Sequence, residues 1–439
     1  MSYETPAVDT ADVPARGATF YRLVWKWHFL AALYVLPFMA ILSVTGTLYL
    51  YKPQIEAWIY ADRMVVPVTG EMLSLETQVN AVEEAVGVTR LRGITISDQP
   101  GRSTVIEFND DDRVRSYAWV NPYTAELLAV TPRDETLMRM IKKFHGELLL
   151  GGFGTKFVEL AAHWAIVMFV TGVIMWWPRN NRSLKDATRL PRGTGRKWWR
   201  EAHLFSGMMA TVLIVPILIT GLPWTDIFGG GLSYVQTQTD QESRSLRFGG
   251  NAPSSTTSEG VQIPFASVLD IAKSEGLIAP YELRSPRKPE EAFWIRSAST
   301  NRFEQTELVI DQYSGEVLAR VNFDENPVLA QAISLGISFH QGELYGPLNI
   351  VQNTLAAILG VFLSVSGFVA WWMRRPAGSI GVPTTPDAKL SAGVIIAIVV
   401  MMVLLPLMGL SLIVALCLDW LLFKRIGWFQ SKPTNIAAE

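Results

Sequence analysis

The sequence predicts a polytopic α-helical membrane protein. Its four-helix core is built from two tandem units of span, outward α+β domain and span, followed by a C-terminal apolar helix or helical hairpin. Three observations predict this. Apolar residues make up 49% of the 439 positions and gather into blocks long enough to cross a hydrocarbon core, which takes roughly 20 helical residues. A histidine-bearing block at 22–51, RLVWKWHFLAALYVLPFMAILSVTGTLYLY, is echoed from Trp198 by WWREAHLFSGMMATVLIVPILITGLPW, and the 175-residue step from His28 to His203 equals that from Gly46 to Gly221. Lys and Arg cluster at particular ends of these blocks, which is what sets orientation, whereas the formal net charge of -2 does not.

Each element follows in order. Residues 1–20 are polar, lack a cleavable signal pattern and are expected in the cytoplasm, so 21–51 is expected to act as an uncleaved anchor. Residues 52–140 carry the alternation of half-buried strands in STVIEFND and RVRSYAWV, as expected of a first outward domain. A His-Gly segment and the second span occupy 141–177 and end in WWPR. The loop 178–200 is dense in Lys and Arg with Asp186 its only acid, a cytoplasmic mark. The third span, 201–224, leads into a second outward domain, 225–339. A His-Gln-Gly segment and the fourth span, 340–373, end in WWMRRP, cytoplasmic again by charge. After a linker at 374–391 comes the apolar block 392–425, interrupted by Pro406 and Gly409; both a hairpin and a single helix kinked at Pro406 fit it. A tail, 426–439, follows.

The repeat extends further. His145 and His340 are 195 residues apart, as are Trp176-Trp177 and Trp371-Trp372, and Thr171-Gly172 is answered by Ser366-Gly367. VNPYTAELLAV at Val120 corresponds to IDQYSGEVLAR at Ile310. With two spans per unit, both copies share one orientation about an axis along the membrane normal.

The chemistry points to histidine. All five, His28, His145, His163, His203 and His340, lie in or beside spans and none in the long outward segments. A titratable side chain at membrane depth is costly and tends to be functional, and imidazole is a standard haem axial ligand. The topology puts His28 with His203 near the cytoplasmic surface and His145 with His340 near the outer one, so each pair would ligate one iron. His163 matches Ile358 in the repeat and has no partner; it is expected as an alternative or auxiliary residue of the outer site. Cys417 is the single cysteine, which excludes a disulfide framework, a CxxC metal site and the CxxCH attachment of a c-type haem.

From about Phe20 to Pro376 the chain resembles the PepSY-associated transmembrane proteins, which include bacterial inner-membrane ferric-siderophore reductases. The resemblance is carried by His28 and His203, the HG and HQG elements at His145 and His340, the TG or SG near each span's end, WWPR and WWMRRP, and the Tyr-Thr/Ser-x-Glu turns. It implies PepSY-like periplasmic domains and two haem b groups passing electrons outward to a ferric siderophore. Ala125 stands where the family's turn has glycine. No Rossmann glycine fingerprint faces the cytoplasm, so the expected donor is a quinol or a separate reductase. The expected location is the bacterial inner membrane, and no nucleic-acid partner is expected.

Other roles fit some of the same residues. Arg196, Lys197 and Arg200 would either set topology or pair with haem propionates. The Thr/Ser-Gly dipeptides would allow close helix packing or admit a flat macrocycle, and the tryptophan pairs fit an aromatic belt. Two rival classes are a membrane-tethered PepSY regulator that binds peptidases, and a metal transport component using the histidines with Met168, Met208 and Met209.

Overall fold

The computed structural model describes residues 16–178, 183, 188–246, 253–255, 260–376, 378, 381 and 390–421. Residues 1–15 of the N-terminal tail, the C-terminal tail, most of the 374–391 linker and, in the basic loop, residues 179–182 and 184–187 with Asp186 therefore lie outside the described residues, while 16–20 already belong to the first helix. Helix α1 (Arg16–Leu50) is followed by short helices α2 (Lys52–Ile59) and α3 (Ala61–Met64), then α4 (Leu75–Val86) and strands β1 (Arg90–Ile96), β2 (Thr104–Asn109), β3 (Arg115–Val120) and β4 (Leu127–Pro132). Helices α5 (Leu137–Glu147) and α6 (Gly152–Trp176) complete the first half. The second half begins with α7 (Gly195–Gly221), a 3-10 turn (Leu222–Trp224) and α8 (Ile227–Gln238). It continues through α9 (Phe265–Ser274), β5 (Tyr281–Arg284), β6 (Phe293–Ser297), β7 (Thr306–Ile310), β8 (Val317–Asn322), α10 (Val328–Gln341) and α11 (Pro347–Trp372). Helices α12 (Ala392–Leu404) and α13 (Pro406–Asp419) follow.

Among the described residues four stretches are long and apolar enough to cross a membrane: Phe20–Leu50, Gly152–Trp176, Gly195–Trp224 and Pro347–Trp372. The chain is thus a polytopic membrane protein with a soluble sheet layer. In the bundle, α1 packs on α6 and α11, and α7 packs on α11 and α6. Phe169, Ala210, Ile214, Ala356 and Leu363 fill its centre, while Val44, Val212, Val351 and Ile358 are exposed on its outside, as lipid-facing residues are. A Cβ at Gly360 would stand 2.3 Å from Ser43 Oγ, so α1 and α11 approach closely only because that side chain is missing.

The two soluble segments form one eight-stranded antiparallel sheet in the order β4-β3-β2-β1-β5-β6-β7-β8. At its middle β1 pairs with β5, with Ile94 opposite Leu283 and Ile96 opposite Tyr281. Alternate residues of β1–β3 and β5–β7 point into a single core, where Ile94, Phe108, Leu283 and Ile295 meet Val79 and Val82 of α4 and Val268 and Ala272 of α9. Two outward domains expected from the sequence therefore share one sheet and one core.

Helices α5 and α10 bring the chain from the sheet back to the bundle. Leu148, at φ 51°, ends α5 in the left-handed region, and Gly342, at φ 79°, ends α10. A Cβ at Gly154 would lie 1.7 Å from the Glu147 carbonyl oxygen, so the α5–α6 turn that places His145 requires glycine there. The C-terminal block is two helices, broken at Leu405 (φ -126°, ψ 74°) just before Pro406. They pack on each other, and both are shorter than the four spans.

Candidate functional site: two histidine pairs

Each of four histidines is held at Nδ1. His28 on α1 meets Thr171 Oγ1 of α6 at 3.0 Å, and His203 on α7 meets Ser366 Oγ of α11 at 2.9 Å. At the sheet-side end, His145 on α5 meets Thr45 Oγ1 of α1 at 2.9 Å, and His340 on α10 meets the Ile217 carbonyl of α7 at 2.9 Å.

These contacts fix the tautomer. Thr45 donates to the Ile41 carbonyl at 2.8 Å, Thr171 to that of Val167 at 2.8 Å, and Ser366 to that of Leu363 at 3.3 Å. A hydroxyl has one proton to give, so toward each imidazole it accepts. A carbonyl can only accept, which settles His340 the same way. All four rings therefore carry the proton on Nδ1 and keep the Nε2 lone pair, the form in which imidazole binds a metal.

Each ring also lies against a glycine. A Cβ would stand 3.4 Å from His28 Cε1 at Gly172, 3.2 Å from His203 Cε1 at Gly367, 3.1 Å from His145 Cε1 at Gly46 and 3.0 Å from His340 Cε1 at Gly221. In Thr45-Gly46, Thr171-Gly172 and Ser366-Gly367, the hydroxyl takes the Nδ1 proton and the glycine makes room for the ring edge. Thr220-Gly221 keeps the glycine role, but Thr220 bonds back to Pro216 and Ile217 of its own helix. Sequence reasoning noticed these dipeptides and missed their hydrogen-bonding role; the signal was one such pair near the end of each span.

The anchors lie within a half, and the pairs form across halves. The rings of His145 and His340 have centroids 6.4 Å apart with planes at 73°. At the far end His28 and His203 line one apolar cavity, with about 710 Å³ of empty space including its mouth, together with Met39, Met168, Met175 and Met208.

The family model described as PepSY-associated TM region matches residues 25–374. The chain belongs to this family. The match spans all five histidines and the four glycines beside them. No curated protein matches the chain.

In this PepSY-associated protein His163 stands apart from the other four. It is fully buried on α6, 3.8 Å from Glu159 Oε1, with its ring centroid 6.3 Å from that of Phe228. Neither ring nitrogen has a hydrogen-bond partner. Arg196, Lys197 and Arg200 are exposed in the first turns of α7, and none lines the cavity. Arg374 lies close to the His28 end, its guanidinium 4.5 Å from the Trp25 ring centroid and 5.5 Å from that of Phe29. At the sheet-side end, Trp224 sits edge-on to His340 with centroids 5.3 Å apart and is about half exposed. Sequence reasoning singled out neither Trp224 nor Glu159.

Proposed function

We propose that the chain is a reductase of the bacterial inner membrane that holds two b-type haems and passes electrons outward to a periplasmic ferric siderophore. The observation that carries this reading is the set of four anchored imidazoles, each with Nε2 available, arranged as two pairs at opposite ends of the bundle. His145 and His340, whose ring centroids stand 6.4 Å apart, are close enough that the two rings would hold one iron between them. The apolar, methionine-rich cavity at His28 and His203 suits a flat macrocycle. Among the described residues no three of His, Cys, Asp or Glu converge. Two imidazoles per site are a usual protein ligand set for a haem iron; a metal path at the far end would instead draw on Met168 and Met208, which line the same cavity.

In this reading His28 and His203 would hold the inner haem, His145 and His340 would hold the outer one, and His163 would lie outside the ligand set. Haem supplies the one-electron iron couple; the chain supplies ligation, burial and position. The two tandem halves each give one histidine to each site. The cluster of Arg196, Lys197 and Arg200, exposed at the end of the bundle far from the sheet, supports a cytoplasmic assignment for that end and with it a periplasmic sheet. A quinol or a separate reductase delivers the electron to the inner end. Reduction releases the metal because oxygen donors hold hard Fe(III) far better than Fe(II).

A pyridine haemochrome assay of the purified protein tests this, with about two b-type haems per chain expected. The dithionite-reduced protein should also reoxidise anaerobically on addition of a ferric siderophore. Protein without a Soret band would return the reading to a membrane-tethered PepSY regulator.

A further inference from the structure

We propose that Lys156, Glu159 and His163 form a proton line into the bundle, and that Glu159 and His163 together hold the proton that balances an electron at the sheet-side histidine pair. The inference rests on the two-haem reading and goes beyond it.

The three residues are spaced three and four apart, which places them on one face of α6. Lys156 is at the water-exposed start of the helix, where its Nζ meets Asp226 Oδ2 at 3.1 Å. One turn deeper, the fully buried Glu159 carboxylate accepts the backbone N–H groups of Ile227 at 3.0 Å and Phe228 at 2.8 Å. A further turn in is His163, also fully buried and 3.8 Å from Glu159. Its two unpartnered ring nitrogens are the unusual feature. A buried polar atom without a partner is costly and rare in native proteins, and an intramembrane carboxylate beside an imidazole is a functional arrangement by default.

The segment that covers this pair also touches the sheet-side site. Phe228 lies against His163, and four residues earlier Trp224 lies against His340. Leu222 and Phe228 pack with Leu405 and Met408 of the C-terminal helices, closing the pair off in apolar surroundings. Apart from Asp226 and Lys156, the described side chains of α8, α12, α13 and the 3-10 turn bring no charge to it; of the other elements packed on α6, α1 brings Tyr34, which donates to the Phe157 carbonyl at 2.9 Å, α5 ends in Glu147 against Gly154, and α7 carries no charged residue after His203.

An electron arriving at the sheet-side pair adds one negative charge in a medium of low dielectric, where charges interact over long distances. One proton from water at the Lys156–Asp226 end, taken up by the Glu159–His163 pair, cancels it. The proton returns to water when the electron passes to the ferric acceptor, so charge and atoms balance over the cycle.

Spectroelectrochemical titration of both haems between about pH 6 and 8 tests this in the wild type and in Glu159→Gln and His163→Phe. The sheet-side haem of the wild type should become harder to reduce as pH rises, its reduction equilibrium moving toward tenfold per pH unit, the limit for one proton per electron. The far haem should move much less. Both variants should keep two low-spin haem signals and lose most of the slope. A flat wild-type profile overturns the proposal even where a variant loses its fold, and so does a slope unchanged in both variants. A preparation with no Soret band overturns the two-haem reading itself, a distinct result.

Discussion

The hydroxyl of Ser366 accepts the Nδ1 proton of His203 at 2.9 Å, from a neighbouring helix of the same half of the bundle. The bond fixes the ring's direction and raises the basicity of Nε2, so on the proposed two-haem reading Ser366 would tune how well His203 holds the iron.

Ser366→Ala should therefore keep the far-end haem but weaken its binding by about tenfold, the lower range for loss of a ligand's hydrogen-bond partner. Thr45→Ala should do the same at the sheet-side end through His145. Haem titration of depleted protein, read separately at the two absorption bands, checks both. Equal affinity in variant and wild type would mean that these hydroxyls are only helix spacers.

The glycine seats make a steric prediction. At Gly221 a Cβ would stand only 3.0 Å from His340 Cε1, so alanine there forces a shift of a few tenths of an ångström and valine more. Gly221→Val should deplete the sheet-side haem and spare the far one. Low-temperature absorption spectra would show one band lost; two intact bands would remove the seat from the argument.

Ligand identity separates the sites. His203→Ala should lose the far-end haem or turn it high spin while the sheet-side haem remains, and His340→Ala should do the reverse. His163→Ala should retain both low-spin haems, because its ring meets Glu159 and Phe228. Electron paramagnetic resonance of the three variants decides the assignment. A high-spin signal from His163→Ala would bring His163 into the ligand set.

A pH prediction comes from the soluble layer. Lys143 beside Asp134, at 2.8 Å, together with Arg139 at 3.2 Å, holds the Asp134 carboxyl below its ordinary value of 3.8. The contacts tie the 3-10 turn after β4 to α5, the helix that carries His145. Since the folded value is the lower one, their stabilisation is present above pH 3.8 and is lost as pH falls through the folded value. Asp134 is largely exposed, so Asp134→Asn should cost no more than about 1 kcal/mol near neutral pH. Chemical denaturation at pH 7 and below pH 3 should show that difference closing in acid. A constant difference would assign the effect to something other than charge.

Much of this was legible in the sequence because membrane spans announce themselves by apolar length, and the histidines stand out by being confined to those spans. The α+β character of the soluble segments followed from alternation in β2 and β3. The joining of the halves through β1 and β5 did not, since a short strand's pattern gives its buried face but not its partner. The bonds from Thr171 to His28 and from Ser366 to His203 were hidden for a related reason: a small residue beside a glycine has the same signature whether it admits a helix or an imidazole. His163 could be seen to lack a repeat partner, but its neighbour Glu159 is explained only by the fold, which brings the start of α8 against α6.

The β1–β5 seam, with α4 and α9 covering one core across it, has a mechanical meaning. A carrier that works by rocking one half against the other needs a hinge between them, and here the halves are welded just beyond the bundle. Motion that separated His145 from His340 would have to tear that weld. Such a frame suits traffic that carries no bulk: when the cargo is an electron, nothing needs to open, and a gap held constant keeps each transfer from waiting on the protein to rearrange.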